Sequence, residues 1–348
     1  MNSASDLTRG GTFVADFRPP RGLGNRHVQT LLPRWLPRQA LARTTEIVEL
    51  SDGDFVELAW SDPAPHSPVA PIFVLFHGLE GSIDSPYARQ LLHGVAQRGW
   101  RGALMHFRGC GTLPNRLPRA YHSGDTGDAR EILERIRQRY PRAPMVAAGV
   151  SLGANMLMKL VAETPMDLTG AIAINAPLDL AASADALNGK RGRVYQRYLL
   201  AELRRKLACQ LERHTLPLSL ATADLRALDT FWAYDDAVTA PLHGFASASD
   251  YYRRASAGPL LGSITTPTLI LHADDDPFMP ANLFARLPAP APAVRLEIAP
   301  HGGHVGYIEC DRGRLRSWLA RRVVAQLESW ILTNARPLPE SPHARHDT

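Results

Sequence analysis

The chain has 348 residues, 45% of them hydrophobic and 21% charged, a balance that excludes a disordered or fibrous protein and suffices for one large α/β core or two smaller ones. Its net charge of +5 comes from arginines spread along the sequence, with no compact basic cluster interleaved with aromatics of the kind that binds nucleic acid. Cys110, Cys209 and Cys310 lie far apart without paired spacing, which suits a reducing compartment; there is no apolar run long enough for a membrane span and no leader-like N-terminus, so a cytoplasmic protein with at most peripheral membrane contact is expected.

In chain order, residues 1–20 and 334–348 are polar or rich in Gly and Pro, and both are expected to be loosely held. TTEIVEL (44–50) and DFVELAW (54–60) alternate around Ser51-Asp52-Gly53 and predict a β-hairpin. A strand at 70–76 is followed by a helix opened by Ser85 as N-cap and Pro86. GALMHF (102–107) is the next strand. Residues 125–140 carry an apolar stripe at helical spacing (Ala129, Ile132, Leu133, Ile136, Tyr140), with Asp125 and Asp128 near the positive end. PMVAAG (144–149) predicts a strand and SLGANMLMKLVAE a helix. GAIAIN (170–175), PTLILHA (267–273) and VRLEI (294–298) add strands, and RLRSWLARRVVAQLESWIL (314–332) reads as a closing amphipathic helix.

This alternation predicts an α/β fold, a mainly parallel sheet with helices on both faces and its site beyond the carboxyl ends of the strands. Residues 178–260 break the pattern with a helical stretch too long for a loop. The expected organisation is a core of 21–177 and 261–333 interrupted by a helical cap, 178–260.

Gly149-Val150-Ser151-Leu152-Gly153 matches G-x-S-x-G between a predicted strand and a predicted helix, the setting in which a serine is held up on a sharp turn. The Leu152 N–H at the helix start can face a developing oxyanion. Serine needs a base and an orienting acid. LHADDDPFMP offers Asp276 at a strand end, with Asp274 and Asp275 as competitors; PHGGH after the last strand offers His304, with His301 the lesser candidate. The order Ser, Asp, His is that of hydrolases built on this turn. His77-Gly78-Leu79-Glu80-Gly81 follows a strand where a second oxyanion donor, the Leu79 N–H, is expected, with His77 and Gly78 near the substrate. A metal site drawn from His77, His106, His272, His301, His304 and the aspartates lacks H-E-x-x-H or clustered spacing, so neither a metal nor a cofactor is expected.

Two stretches, HVQTLLPRWLPR (27–38) and GKRGRVYQRYLLAELRRKL (189–207), mix basic and apolar residues. Such stretches can rest on a membrane or guide an acyl chain. One buried and one solvated face is the plainer expectation, and Pro33 and Pro37 argue against a continuous helix in the first.

With these residues in view, the chain resembles the α/β-hydrolase superfamily, and more closely its YheT-like esterases, relatives of the animal α/β-hydrolase-domain lipases. The resemblance spans about residues 20–333 and rests on GNRHVQTLLPR, FHGLEGS, HFRGCG, YHSGDTGD, GVSLGAN, AVTAPLHGF with DYY following, HADDDPF and HGGHVGY. It implies Ser151 as nucleophile, Asp276 as acid and His304 as base, acting without a cofactor on an acyl ester or lipid-like small molecule. Acyl transfer, thioester or peptide cleavage could run on the same triad, and a non-catalytic lipid carrier could keep the fold. The animal relatives carry an N-terminal membrane anchor, which this sequence is expected to lack. Within HFRGCG and YHSGDTGD, pairing of Arg108 with Asp125 is expected to brace neighbouring loops, with His106 or His122 lining the pocket.

Overall fold

A computed structural model describes residues 7–61, 67–220 and 222–334. The expected loose segments at 1–6 and 335–348 lie outside these described residues.

Strands β1 (Gly11–Val14), β2 (Thr44–Glu49), β3 (Phe55–Trp60), β4 (Ile72–Phe76), β5 (Arg101–His106), β6 (Met145–Val150), β7 (Gly170–Ile174), β8 (Thr268–Ala273) and β9 (Val294–Ala299) form one nine-stranded sheet in the order β1-β9-β8-β7-β6-β4-β5-β3-β2. The β2–β3 hairpin and the β3–β5 pair are antiparallel; every other pair is parallel. Period-two alternation sends Ile72, Val74 and Phe76 to one face and Phe73 and Leu75 to the other. The first face packs on helices Gly127–Arg139 and Leu152–Glu163, the second on helices Pro86–Ala96 and Trp318–Asn334. Covered on both sides, the central strands are continuous apolar runs, which is why they are legible as buried strands.

Between β7 and β8 the chain forms helices Leu180–Asn188, Arg193–Arg213 and Ala248–Ala255, with shorter helical turns between them. They carry their own apolar clusters, one around Leu200, Leu207 and Val238 and another around Ala184, Tyr251 and Tyr252.

Three local expectations give way. Residues 11–14 are not loose: they pair with β9 as an edge strand, Phe17 is buried against the rings of Tyr307 and Trp318, and Trp318 Nε1 donates to Asp16 Oδ1 at 2.7 Å. The closing helix starts at Trp318, because Arg312 and Gly313, at φ 47° and 77°, make a tight turn that pairs β10 (Ile308–Asp311) with β11 (Arg314–Ser317). Ser85 precedes the helix as expected, but its hydroxyl accepts from Ser82 N–H and not from the helix.

Candidate active site

Ser151 sits between β6 and helix Leu152–Glu163 at φ 52°, ψ −118°, a strained backbone for a residue with a side chain. The turn is sharp enough to need both flanking glycines. A Cβ on Gly149 would lie 2.3 Å from the Gly153 oxygen, and one on Gly153 would lie 2.5 Å from the His77 oxygen.

His304 Nε2 stands 3.1 Å from Ser151 Oγ, and His304 Nδ1 stands 2.8 Å from Asp276 Oδ2. The three carboxylates after β8 separate cleanly. Asp274 is exposed, Asp275 accepts from Gly303 N–H and lies 3.6 Å from the exposed ring of His301, and buried Asp276 faces His304. Asp276 also accepts from Phe278 N–H, and the Phe278 ring stacks on His304 with centroids 3.9 Å apart. Leu79 and Leu152 line the cavity with Ser151, and among the described residues their N–H groups have no hydrogen-bond partner.

Several supporting residues carry no signal that sequence reasoning had weighed. Asn175, at φ 48° just past β7, donates from Nδ2 to Asp276 Oδ2 at 2.6 Å, while Tyr307 OH donates to Asn175 Oδ1 at 2.8 Å. Thr30 Oγ1 accepts from His304 N–H, and buried Gln29 donates to the carbonyls of Leu23 and Ile308 and accepts from Ile308 N–H. The QT within GNRHVQTLLPR thus holds the loop that carries His304. Asn155, in GVSLGAN, donates to Ser123 and to the Ala255 carbonyl and accepts from Ala257 N–H, tying the serine helix to YHSGDTGD and to the inserted segment.

His77, expected near the substrate, stands behind the wall at Gly78. Its ring is fully buried, Nε2 accepts from Phe107 N–H and Nδ1 meets the Gly78 carbonyl, and burial lowers its pKa to about 3, keeping it neutral. His106 is likewise buried, accepting from Ile83 N–H, whereas His122 lines the cavity beside His243 and Tyr251. His272 packs on Phe284. Among the described residues no three His, Cys, Asp or Glu side chains converge as metal ligands.

Arg108 does not pair with Asp125. Its guanidinium forks onto Asp128 (2.7 Å to each oxygen) and reaches Asp54 at 3.0 Å and Asp52 at 2.8 Å, while Arg119 takes Asp125. The brace therefore joins the β2–β3 turn, the loop after β5 and the first turn of helix Gly127–Arg139.

A cavity of about 1670 Å³ opens over Ser151 and His304, floored by Gly78, Leu79 and Leu152 and walled on the far side by helix Arg193–Arg213. That helix is tethered to the floor: Lys206 Nζ lies 2.7 Å from Glu80 Oε2 and 2.9 Å from Cys110 Sγ, and Tyr121 OH donates to Glu80 Oε1. Burial raises the Cys110 thiol to about 11, so it stays protonated beside the lysine. Among the described residues no helix is long and apolar enough to cross a membrane.

A family model described as "alpha/beta hydrolase fold" matches residues 71–311. Over 322 residues the chain is 43% identical to "Putative esterase YheT" of Escherichia coli (strain K12), covering 91% of this chain and 94% of that protein. It is 29% identical over 262 residues to "Monoacylglycerol lipase" of Saccharomyces cerevisiae, covering 73% of this chain and 58% of that protein. With "Phospholipase ABHD3" of Homo sapiens it shares 26% identity over 292 residues, 81% of this chain and 71% of that protein. Among solved structures, the Pyrococcus furiosus esterase Pf2001 superposes with a TM-score of 0.54 at 15% identity, covering 90% of this chain and 97% of that one, a likeness of fold alone. Sheet order, inserted helices and these matches agree: the chain belongs to the alpha/beta-hydrolase family, in the group that holds YheT.

Proposed function

We propose that the protein is a serine carboxylic-ester hydrolase, an esterase or lipase-like enzyme that works through an acyl-enzyme on Ser151. The observation that carries this reading is the unbroken line from Ser151 Oγ to His304 Nε2 at 3.1 Å and from His304 Nδ1 to Asp276 at 2.8 Å.

With the Nδ1 proton donated to Asp276, Nε2 is the free base that takes the serine proton as Oγ attacks the acyl carbonyl. Negative charge gathers on the former carbonyl oxygen, where the N–H groups of Leu79 and Leu152 receive it; the latter heads a helix, whose dipole adds to the effect. His304 then gives its proton to the departing alkoxide. Water enters by the same route, His304 taking its proton, and the acid leaves while Ser151 regains a hydrogen. Asp276 holds the imidazole in place and in the right tautomer. In this reading 178–260 acts as the cap that shields the acyl-enzyme.

Relatives named for lipid esters, a monoacylglycerol lipase and a phospholipase, together with a cavity of about 1670 Å³, favour an acyl ester of substantial chain length. Three free cysteines suit the cytoplasm. The test is turnover of p-nitrophenyl esters and monoacylglycerols of increasing chain length by wild type and His304→Ala. The reading expects an optimum beyond the shortest esters and a loss of several orders of magnitude in kcat for the variant. Equal turnover by both would refute it, and ester products appearing on addition of alcohols would reassign the enzyme to acyl transfer.

A further inference from the structure

Although the basic residues are spread along the sequence, two stretches that the fold brings together carry them without acidic neighbours. Residues 26–43 contain Arg26, Arg34, Arg38 and Arg43 and no Asp or Glu; residues 186–201 contain Lys190, Arg191, Arg193 and Arg197 and likewise no Asp or Glu. These two stretches hold eight of the 39 Lys and Arg and none of the 34 Asp and Glu, so the remainder of the chain is net negative.

The fold brings the two together. His27 stacks on Tyr195 and its Nδ1 lies 3.0 Å from the Tyr195 hydroxyl, and the Arg34 guanidinium sits 5.1 Å over the Tyr198 ring. Arg34, Arg38, Lys190, Arg191, Val194 and Tyr198 are exposed and also line the cavity, so they form its mouth. Large apolar side chains stand out into solvent among these cations: Trp35 is 73% exposed, Val194 71% and Tyr198 52%.

Charge pairing is one-sided at this mouth. Each carboxylate of the cavity wall is engaged, Glu80 by Lys206, Asp84 by Arg43 and Arg89, Glu202 by Arg205, and Asp235 by Thr239 and Tyr252. Among the described residues Arg34, Arg38, Lys190 and Arg191 have no carboxylate partner. A cationic rim carrying an exposed Trp and Tyr matches the headgroup layer of an anionic bilayer, where phosphates meet the cations and amphipathic rings enter the interface. A second copy of the chain fits less well, since a two-fold contact through this patch would set the cations against themselves.

We infer that this rim is a docking surface for an anionic lipid bilayer, which seats the cavity mouth on the membrane so that an acyl ester can pass from the bilayer to Ser151. Docking stands apart from the chemistry, because it needs only the rim.

The test is sedimentation of the full chain, in a Ser151→Ala background so that no ester cleavage bears on the result. Vesicles are of phosphatidylcholine alone or of equal parts phosphatidylcholine and phosphatidylglycerol. The proposal expects at least about tenfold stronger binding to the anionic vesicles and release by high salt. It also expects an at least tenfold loss in the triple variant Trp35→Ala, Lys190→Gln, Arg191→Gln, whose unchanged melting temperature shows that it is folded. Equal binding to both vesicle types, no binding, or a folded variant that binds as the parent does would each overturn it. So would a wild type that is dimeric and a variant that is monomeric, or binding to a nucleic-acid duplex with none to vesicles.

Discussion

Asn175 and His304 converge on one oxygen: Asp276 Oδ2 takes the Asn175 amide at 2.6 Å and the His304 ring nitrogen at 2.8 Å. The amide is itself fixed by Tyr307, so the carboxylate is held from behind by a chain of two side chains. Asn175 does not line the cavity, so in the proposed reaction its expected role is to position Asp276. Asn175→Ala is expected to lower kcat by about 10–100-fold with little change in KM, because misplacement of the imidazole penalises the reacting geometry more than binding. Tyr307→Phe should lie in the same direction with a smaller effect. Steady-state kinetics on one ester decides it; a change confined to KM would remove the positioning role.

Arg108 is buried among Asp52, Asp54 and Asp128, with a guanidinium held charged by its carboxylate partners. Removing it leaves Asp54 and Asp128 buried without their cation, so Arg108→Met should cost about 3–5 kcal/mol in denaturant unfolding. Unchanged stability would show that the network carries no net weight.

Gln29 satisfies two carbonyls and one N–H inside the fold. Gln29→Ala orphans them, and a loss of about 2–3 kcal/mol is expected. Because Thr30 next to it holds His304 N–H, turnover should fall in the folded variant as well. Equal stability and turnover in the variant would refute this link.

His77 gives the fold a pH signature. Its folded-state pKa is depressed to about 3 by burial, against the ordinary 6.5. A depressed histidine contributes stability that is complete above the unfolded pKa and is lost as pH falls from about 6.5 towards 3. By pH 5 the wild type should have lost about 2 kcal/mol through this group alone, since each unit is about 1.36 kcal/mol. The stability gap between wild type and His77→Ala should therefore be about 2 kcal/mol smaller at pH 5 than at pH 7.5. A gap that stays constant in urea titrations at the two pH values would contradict the assignment.

The sheet strands are readable because burial on both faces makes them short apolar runs, and Ser151 because its sharp turn needs glycine at both 149 and 153. Geometry then did what sequence could not do alone, choosing among Asp274, Asp275 and Asp276 at adjacent positions, since their separation depends on how the turn after β8 is rotated. In the sequence Asn175 reads as the last residue of a strand, because its contacts with Asp276 and Tyr307 come from more than a hundred positions away. Strand β1 pairs with β9 across most of the chain, a contact without local signature. At 314–317 the apolar spacing suited a helix, but the Arg312-Gly313 turn imposed a hairpin. Arg108 takes Asp52 and Asp54 from the β2–β3 turn and, of the two aspartates in YHSGDTGD, Asp128, because Arg119 occupies Asp125; that division is set by the fold and has no local signature.

The most direct test of an activated Ser151 is intact-mass analysis after a fluorophosphonate, with wild type and Ser151→Ala treated side by side. The account predicts one adduct per wild-type chain and none on the variant, with both proteins melting alike. A folded wild type that takes no adduct, or a variant that is labelled as fully as wild type, would contradict it.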